Sequence, residues 1–473
     1  MKHLSLFFLV VSLSLSSLAL GDILQVPDEY STIQMAVDVA EDGDTVLVSP
    51  GTYTENVRIR TQNIVLASTF ILDFNLDAIS STIIDGGNSF AADTGSAISI
   101  SGAWTSPEIM GFTLTGGTGT SFATQGGANA REGGGIYSRS ASPYIHHNIF
   151  INNVVDPGNG YSFAGGAGLS TFYGSPVIEN NVFIHNYGWY GGGFVINYST
   201  ATIRNNIVAE NSSRGDYGGG AGLMIYTPNN SVTFNNNTVF GNSNTNNDGG
   251  DGIAILANSR FYSQNNIIYE NGNTEISFEG SSNVNVNYSI VNGGFIGIMN
   301  QDVDPLFNYE TLEISSGSQA IDSGNPDSTY NDVEDPESDG IALYPSMGTI
   351  LNDRGAYGGP YRSPYGLPHF ELETTKVDHK EFSTIPSDMY LDQNYPNPFN
   401  PTTSISFGLS TNQVISLDVF NVNGQLVASL INGNLKAGRY TEKYDFSQLS
   451  SGLYIYRLKG ESSILSKRFM LLK

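Results

Sequence analysis

The sequence predicts an all-β chain: a solenoid of parallel strands followed by a small β-sandwich. Three observations point there. Glycine accounts for 54 of 473 residues, well above the roughly 7% of an average chain, and marks a turn-rich composition. One twelve-residue pattern recurs through the middle of the chain, and residues 389–473 carry a different, strictly alternating one.

Five segments align on the twelve-residue pattern without gaps: residues 142–153 (SPYIHHNIFINN), 175–186 (SPVIENNVFIHN), 200–211 (TATIRNNIVAEN), 231–242 (SVTFNNNTVFGN) and 260–271 (RFYSQNNIIYEN). Looser copies lie at 106–117 and 282–293, and successive starts are 36, 33, 25, 31, 29 and 22 residues apart. A fixed pattern at variable spacing means coils of constant cross-section with loops of variable length. Apolar residues at the fourth, eighth and tenth positions, such as Ile145, Ile149 and Ile151, have strand periodicity and are expected to face inward. The seventh position is Asn148, Asn181, Asn206, Asn237 and Asn266, and the twelfth is Asn153, Asn186, Asn211, Asn242 and Asn271. Amides recurring once per coil are expected to stack as hydrogen-bonded ladders at bends, where Asn also tolerates left-handed backbone. Gly-rich runs such as Gly133-Gly134-Gly135 and Gly191-Gly192-Gly193 open a further strand through a tight turn. Three short strands per coil, stacked at about 4.8 Å, make a solenoid of parallel sheets.

The ends follow the same logic. Lys2 and His3 precede an apolar, Ser-diluted run ending Ala19-Leu20-Gly21. This reads as a secretory signal peptide over residues 1–21, too short for the roughly 20 apolar residues of a membrane span. Ser31 is expected to cap a helix carrying Ile33, Ala36, Val37 and Ala40 on one face, a lid for an open solenoid end. Residues 22–360 are read as the solenoid, 361–388 as a polar linker, and 389–473 as a sandwich with a hairpin turn at Asn423-Gly424.

Charge narrows the partners. Residues 22–360 hold 35 Asp and Glu against 8 Arg, a net −27, whereas residues 361–473 hold 10 acidic and 11 basic groups, a net +1. Phosphate-bearing partners are repelled by such a surface, which excludes nucleic acid and leaves neutral glycans and divalent cations. The chain has no cysteine, which excludes disulfides and thiolate chemistry.

At these residues the chain resembles the right-handed parallel β-helix, pectin-lyase-like superfamily, and its opening VPDEYSTIQMAVDVAEDGDTVLVSPGTYTENV resembles that superfamily's N-terminal cap. The segments LDQNYPNPFNPTTSISFGL and SGLYIYRLKGESSILSKRFMLLK resemble the C-terminal sorting domain of the type IX secretion system, an immunoglobulin-like sandwich. The resemblance implies export across the outer membrane of a Gram-negative bacterium, with the secretion machinery as one partner and a polysaccharide as the other. It also implies lyase or hydrolase activity for many relatives, yet the Asn-Thr-Asp, Asp-Asp and Gly-His-Gly signatures of the hydrolases are absent and the helix has no lysine after Lys2.

Stacking turns the alignment into candidate sites. His146, Glu179 and Arg204 at the fifth position, and His185 and Glu210 at the eleventh, become rung neighbours that could supply acid, base and charge neutralisation for cutting a glycan. Aromatic residues in the Gly-rich loops, Tyr161, Tyr173, Tyr187, Trp189, Tyr190 and Tyr217, are candidates for stacking on sugar rings. Asp327, Asp332, Glu334, Asp335 and Asp339 offer enough oxygens for Ca²⁺ if their loop folds back on itself, although their spacing matches no EF-hand. A catalytic solenoid, a glycan binder and a plain structural stalk are the three expectations.

Overall fold

A computed structural model describes residues 21–87, 94–124, 126–156, 161–214, 219–245, 250–370, 372, 389–391, 394, 399, 401–421, 425–460 and 463–472. The signal-peptide residues 1–20, Tyr217 and the turn Asn423-Gly424 lie outside the described residues. Two compact units divide after Leu372.

The first unit is the expected right-handed parallel β-helix. Three long sheets run its length, each built from one strand per coil. The first orders ten parallel strands from Ile23–Val26 through Tyr144–His146, Val177–Glu179 and Ala201–Arg204 to Asn283–Asn287; the second orders nine from Gly51–Thr54 to Ile290–Val291; the third orders eight from Val57–Ile59 to Ile276–Phe278. Register follows the repeat: Ile145 pairs with Ile178, and Ile178 with Ile203. Helix Ile33–Val39 lids the N-terminal end with Ile33, Ala36 and Val37 buried. Its cap is Thr32 rather than Ser31: the Thr32 hydroxyl accepts the Met35 N–H, and Glu55 takes the N–H groups of Ile33 and Gln34, satisfying the first-turn donors.

The inward positions differ from the expectation. The interior is filled by the fourth position (Ile145, Ile178, Ile203, Phe234) and the ninth (Phe150, Phe183, Val208, Val239, Ile268). The eighth and tenth positions, Ile149, Val182, Ile184 and Ile207, point outward yet are buried in a second cluster with Phe307, Leu312, Ala356, Tyr357 and Leu367. The chain beyond Gln301 wraps back over the second sheet, so that sheet is apolar on both faces. Residues 361–370 belong to this wrap and pack on the solenoid instead of forming a linker.

Both asparagine ladders form. Along the seventh position Asn148 donates to Asn181, Asn181 to Asn206, Asn206 to Asn237 and Asn237 to Asn266 at 3.0–3.2 Å. The twelfth runs likewise from Asn153 to Asn271 and ends on the Glu275 carboxyl. The left-handed residues are the neighbours, not the ladder asparagines. These are His147, Asn180, Asn205, Asn236 and Asn265 at the sixth position, and Asn152, His185, Glu210, Gly241 and Glu270 at the eleventh.

The second unit is an antiparallel sandwich. Strands Tyr390–Leu391, Thr402–Leu409 and Gly438–Asp445 form one sheet; Leu426–Leu435, Gln413–Asn421, Gly452–Lys459 and Ile464–Leu471 form the other. Phe407, Leu417, Val419, Tyr456 and Phe469 fill its core.

Candidate functional site

The charged row on the first sheet exists as the repeat predicts: His146 pairs with Glu179 and Glu179 with Arg204 in register. Its chemistry is already committed. Arg204 Nε donates to Glu179 Oε2 at 2.5 Å, and the Tyr144 hydroxyl donates to Glu179 Oε1 at 3.1 Å. His146 Nε2 lies 2.9 Å from Glu108 Oε1, and its Nδ1 lies 2.8 Å from that of His147. His146 and Glu179 are 6% and 7% exposed, so neither stands on an open face. His185 Nε2 and Glu210 Oε2 form a separate pair at 2.7 Å. Burial, with the neighbouring His146, pushes His147 down to about 3, so this second histidine stays neutral.

A strap closes over this row. The sixth-position amides, left-handed and turned outward at the bend, receive residues 352–363. Asn236 donates to Asp353 O, Asn205 to Ala356 O and Gly358 O, and Asn180 to Tyr361 O, while Ser363 N–H donates back to Asn180. The Tyr361 ring lies over the Arg204 guanidinium, 3.4 Å from carbon to ring centre. A cleft of about 280 Å³ remains beside the strap, lined by Thr202, Arg204, Thr233, Asn235, Tyr330 and Tyr361. The Asn doublets of ENN, RNN and QNN carry this column in the sequence; only the wrap reveals its use.

The acidic run does not converge. The Asp327 carboxylate caps the short turn at Thr329, Glu334 accepts from Gly340 N–H, Asp335 accepts from Glu337 N–H, and Asp339 is exposed. Asp332 turns inward to accept from Asp353 N–H and Gly359 N–H. Four of the five carboxylates accept from backbone N–H groups, and among the described residues no three His, Asp or Glu side chains are gathered as a metal site. The calcium expectation finds no support in this arrangement.

The loop aromatics divide. Trp189 and Tyr190 are 7% and 3% exposed; they cover the outer face of the third sheet together with Val195, Met224 and Ala254. The Trp189 indole donates to Asp156 and lies under Arg214, and the Tyr190 hydroxyl donates to Glu132. Their rings are therefore packing, not platforms. Tyr161 is half-buried against Ser121 and Arg131, and Tyr187 is half-buried within a short strand.

Tyr173 belongs to a different arrangement. At the corner where the third sheet turns toward the first, strand ends place Arg139, Phe172, Asn197 and Tyr226 in one register column. The next residue in three of these coils is left-handed: Ser140 (φ 57°), Tyr173 (φ 56°) and Tyr198 (φ 49°). Tyr173 and Tyr198 stack with ring centres 5.2 Å apart, Tyr226 meets Tyr198 edge-on at 5.5 Å, and Arg139 lies over Phe172 and Phe122. All of these rings are half-buried. Burial and contact with Tyr226 push the Tyr198 hydroxyl up to about 12. Sequence reasoning named Tyr173 and passed over Tyr198 and Tyr226, whose shared corner becomes visible only once the register is known.

Residues 393–472 match the family model described as secretion system C-terminal sorting domain. Among curated proteins no relative matches the chain. Among solved structures it is similar to a pectin methylesterase in complex with hexasaccharide VII, at 13% identity and a TM-score of 0.33, over 57% of this chain and 87% of that one. Strand order and register establish the solenoid. No described helix is long and apolar enough to cross a membrane. The chain is thus a parallel β-helix carrying a C-terminal secretion sorting domain, which marks it for export to the cell surface or the medium.

Proposed function

We propose that this exported solenoid binds a glycan along its aromatic corner, through Phe172, Tyr173, Tyr198 and Tyr226. One observation carries the reading: bulky aromatic residues occupy left-handed backbone there. For an L-residue with a large side chain that conformation costs about 1–2 kcal/mol, and the left-handed bends beside the asparagine ladders hold mostly Asn, Gly, His or Glu, with Tyr288 as the aromatic exception in the last coil. Strain held at a half-exposed corner is better explained by a ligand than by folding, and aromatic rings repeated at the coil spacing suit a polymer of sugars. The sorting tail delivers the corner to the outer surface of a Gram-negative cell or beyond it, through the type IX machinery.

The test is to pass the full chain over a panel of polysaccharides, following retention and new reducing ends together. Retention without cleavage is the expected outcome. Cleavage lost in Glu179→Gln would instead move the function to the charged row, and neither signal over a broad panel would leave a structural stalk.

A further inference from the structure

Resting on that reading, we infer that Trp104 is the outermost binding residue of the corner and that the ligand is a neutral polysaccharide running along the solenoid axis. Trp104 is 95% exposed, so burial gives no reason for a tryptophan there. It lies in a bulge of strand Ile98–Thr105, whose pairing with the next coil runs from Ser101 opposite Arg139 to Thr105 opposite Ala141. That register sets Trp104 beside Ser140 of the next coil, two coils before Tyr173 and three before Tyr198. Its backbone is left-handed as theirs is, at φ 73°. Trp104, Ser140, Tyr173 and Tyr198 are thus one column of left-handed residues in four successive coils, with aromatic side chains at three of the four.

Three coil steps at about 4.8 Å place the first and last members about 14 Å apart. A ligand that touches all three rings is an extended chain lying across the coils. Its class follows from charge. The solenoid carries 35 acidic groups against 8 arginines between residues 22 and 360, and the corner's cation, Arg139, already lies over two rings and against the Tyr137 hydroxyl. A polyuronate would meet repulsion that Arg139 is not free to offset, whereas a neutral chain would not.

The chain contains two tryptophans, and only Trp104 is exposed, so fluorescence reports on it directly. Acrylamide quenching of the full chain would be measured with glucomannan, xyloglucan and polygalacturonate. A Trp189→Phe chain serves as a second sample in which Trp104 is the sole emitter. We expect at least one neutral polymer to protect Trp104 and shift its emission to the blue, and polygalacturonate to do neither. Trp104→Ala should weaken retention about two- to tenfold, the worth of one aromatic contact. Oligosaccharides too short to span the column should bind progressively less well. If a neutral polymer is retained, and loses retention on Tyr173→Ala/Tyr198→Ala, yet Trp104 stays fully quenchable, the inference fails while glycan binding stands. Tighter binding of polygalacturonate overturns the ligand class. Protection that rises with protein concentration and no glycan assigns the corner to a second copy and overturns the proposal. Retention of no polysaccharide removes the underlying reading as well.

Discussion

At the scale of single residues, the side chain carried on left-handed backbone differs between the strap and the aromatic corner. Beside the seventh-position ladder the left-handed column is mostly asparagine: Asn180, Asn205 and Asn236, at φ 51–55°, lend their amides to the strap. Trp104, Tyr173 and Tyr198 adopt the same conformation with side chains ill suited to it. Trp104→Asn should therefore stabilise the solenoid by about 1 kcal/mol while weakening glycan retention, a trade visible as a raised Tm in a thermal melt. A lowered Tm would mean that Trp104 packs in a way its exposure denies. The sequence shows this tryptophan but not its setting, because the bulge that turns it out depends on pairing with residues 136–141. Trp189 misleads in the opposite direction: a Gly-rich neighbourhood suggests an exposed loop, but the third sheet's outward Val195 and Met224 need a cover, and Trp189 supplies it.

At the scale of elements, the ladders and the strap hold the coils in line. Asn206 accepts from Asn181 N–H and amide, and donates to Ile178 O, Arg204 O and Asn237. Asn206→Ala should orphan several fully buried groups at once and lower stability by about 2–3 kcal/mol or more. Asn205→Ala, which frees only the strap carbonyls of Ala356 and Gly358, should cost about 1–2 kcal/mol. Urea midpoints of the two variants rank them, and the reverse order would show that the strap outweighs the ladder. The ladders were legible because one residue type recurs once per coil. The strap was not, since residues 352–363 carry no repeat, and the second apolar face of the second sheet was misread as the interior for the same reason: strand alternation cannot tell a core from a wrapped surface.

At the scale of the whole molecule, pH dependence exposes groups that burial has moved. His147 is held down at about 3 from an ordinary 6.5, so the unfolded chain takes up a proton first. Its contribution is present above pH 6.5 and is lost as pH falls toward 3. His147→Asn, which copies the rest of its column, should flatten that acid loss in Tm. Glu132 moves the other way: burial raises it to about 7 against three hydrogen bonds, from Ser170, Tyr190 and Asn197, that lower it. The folded chain then holds a proton between pH 4.5 and 7 that the unfolded chain releases, so this contribution is lost as pH rises through 7. Glu132→Gln should stabilise at pH 8 relative to wild type, and the gain should vanish near pH 4.5. A gain independent of pH would mean that Glu132 does not titrate there.

On the proposed reading the acidic solenoid and the near-neutral tail divide the labour, recognition in one unit and export in the other. The most direct test of that recognition is a calorimetric titration of the full chain and its Tyr173→Ala/Tyr198→Ala variant with the retained neutral polysaccharide. Loss of two stacking rings should weaken binding by about tenfold or more. Equal affinity in the two chains would contradict the aromatic corner as the binding site.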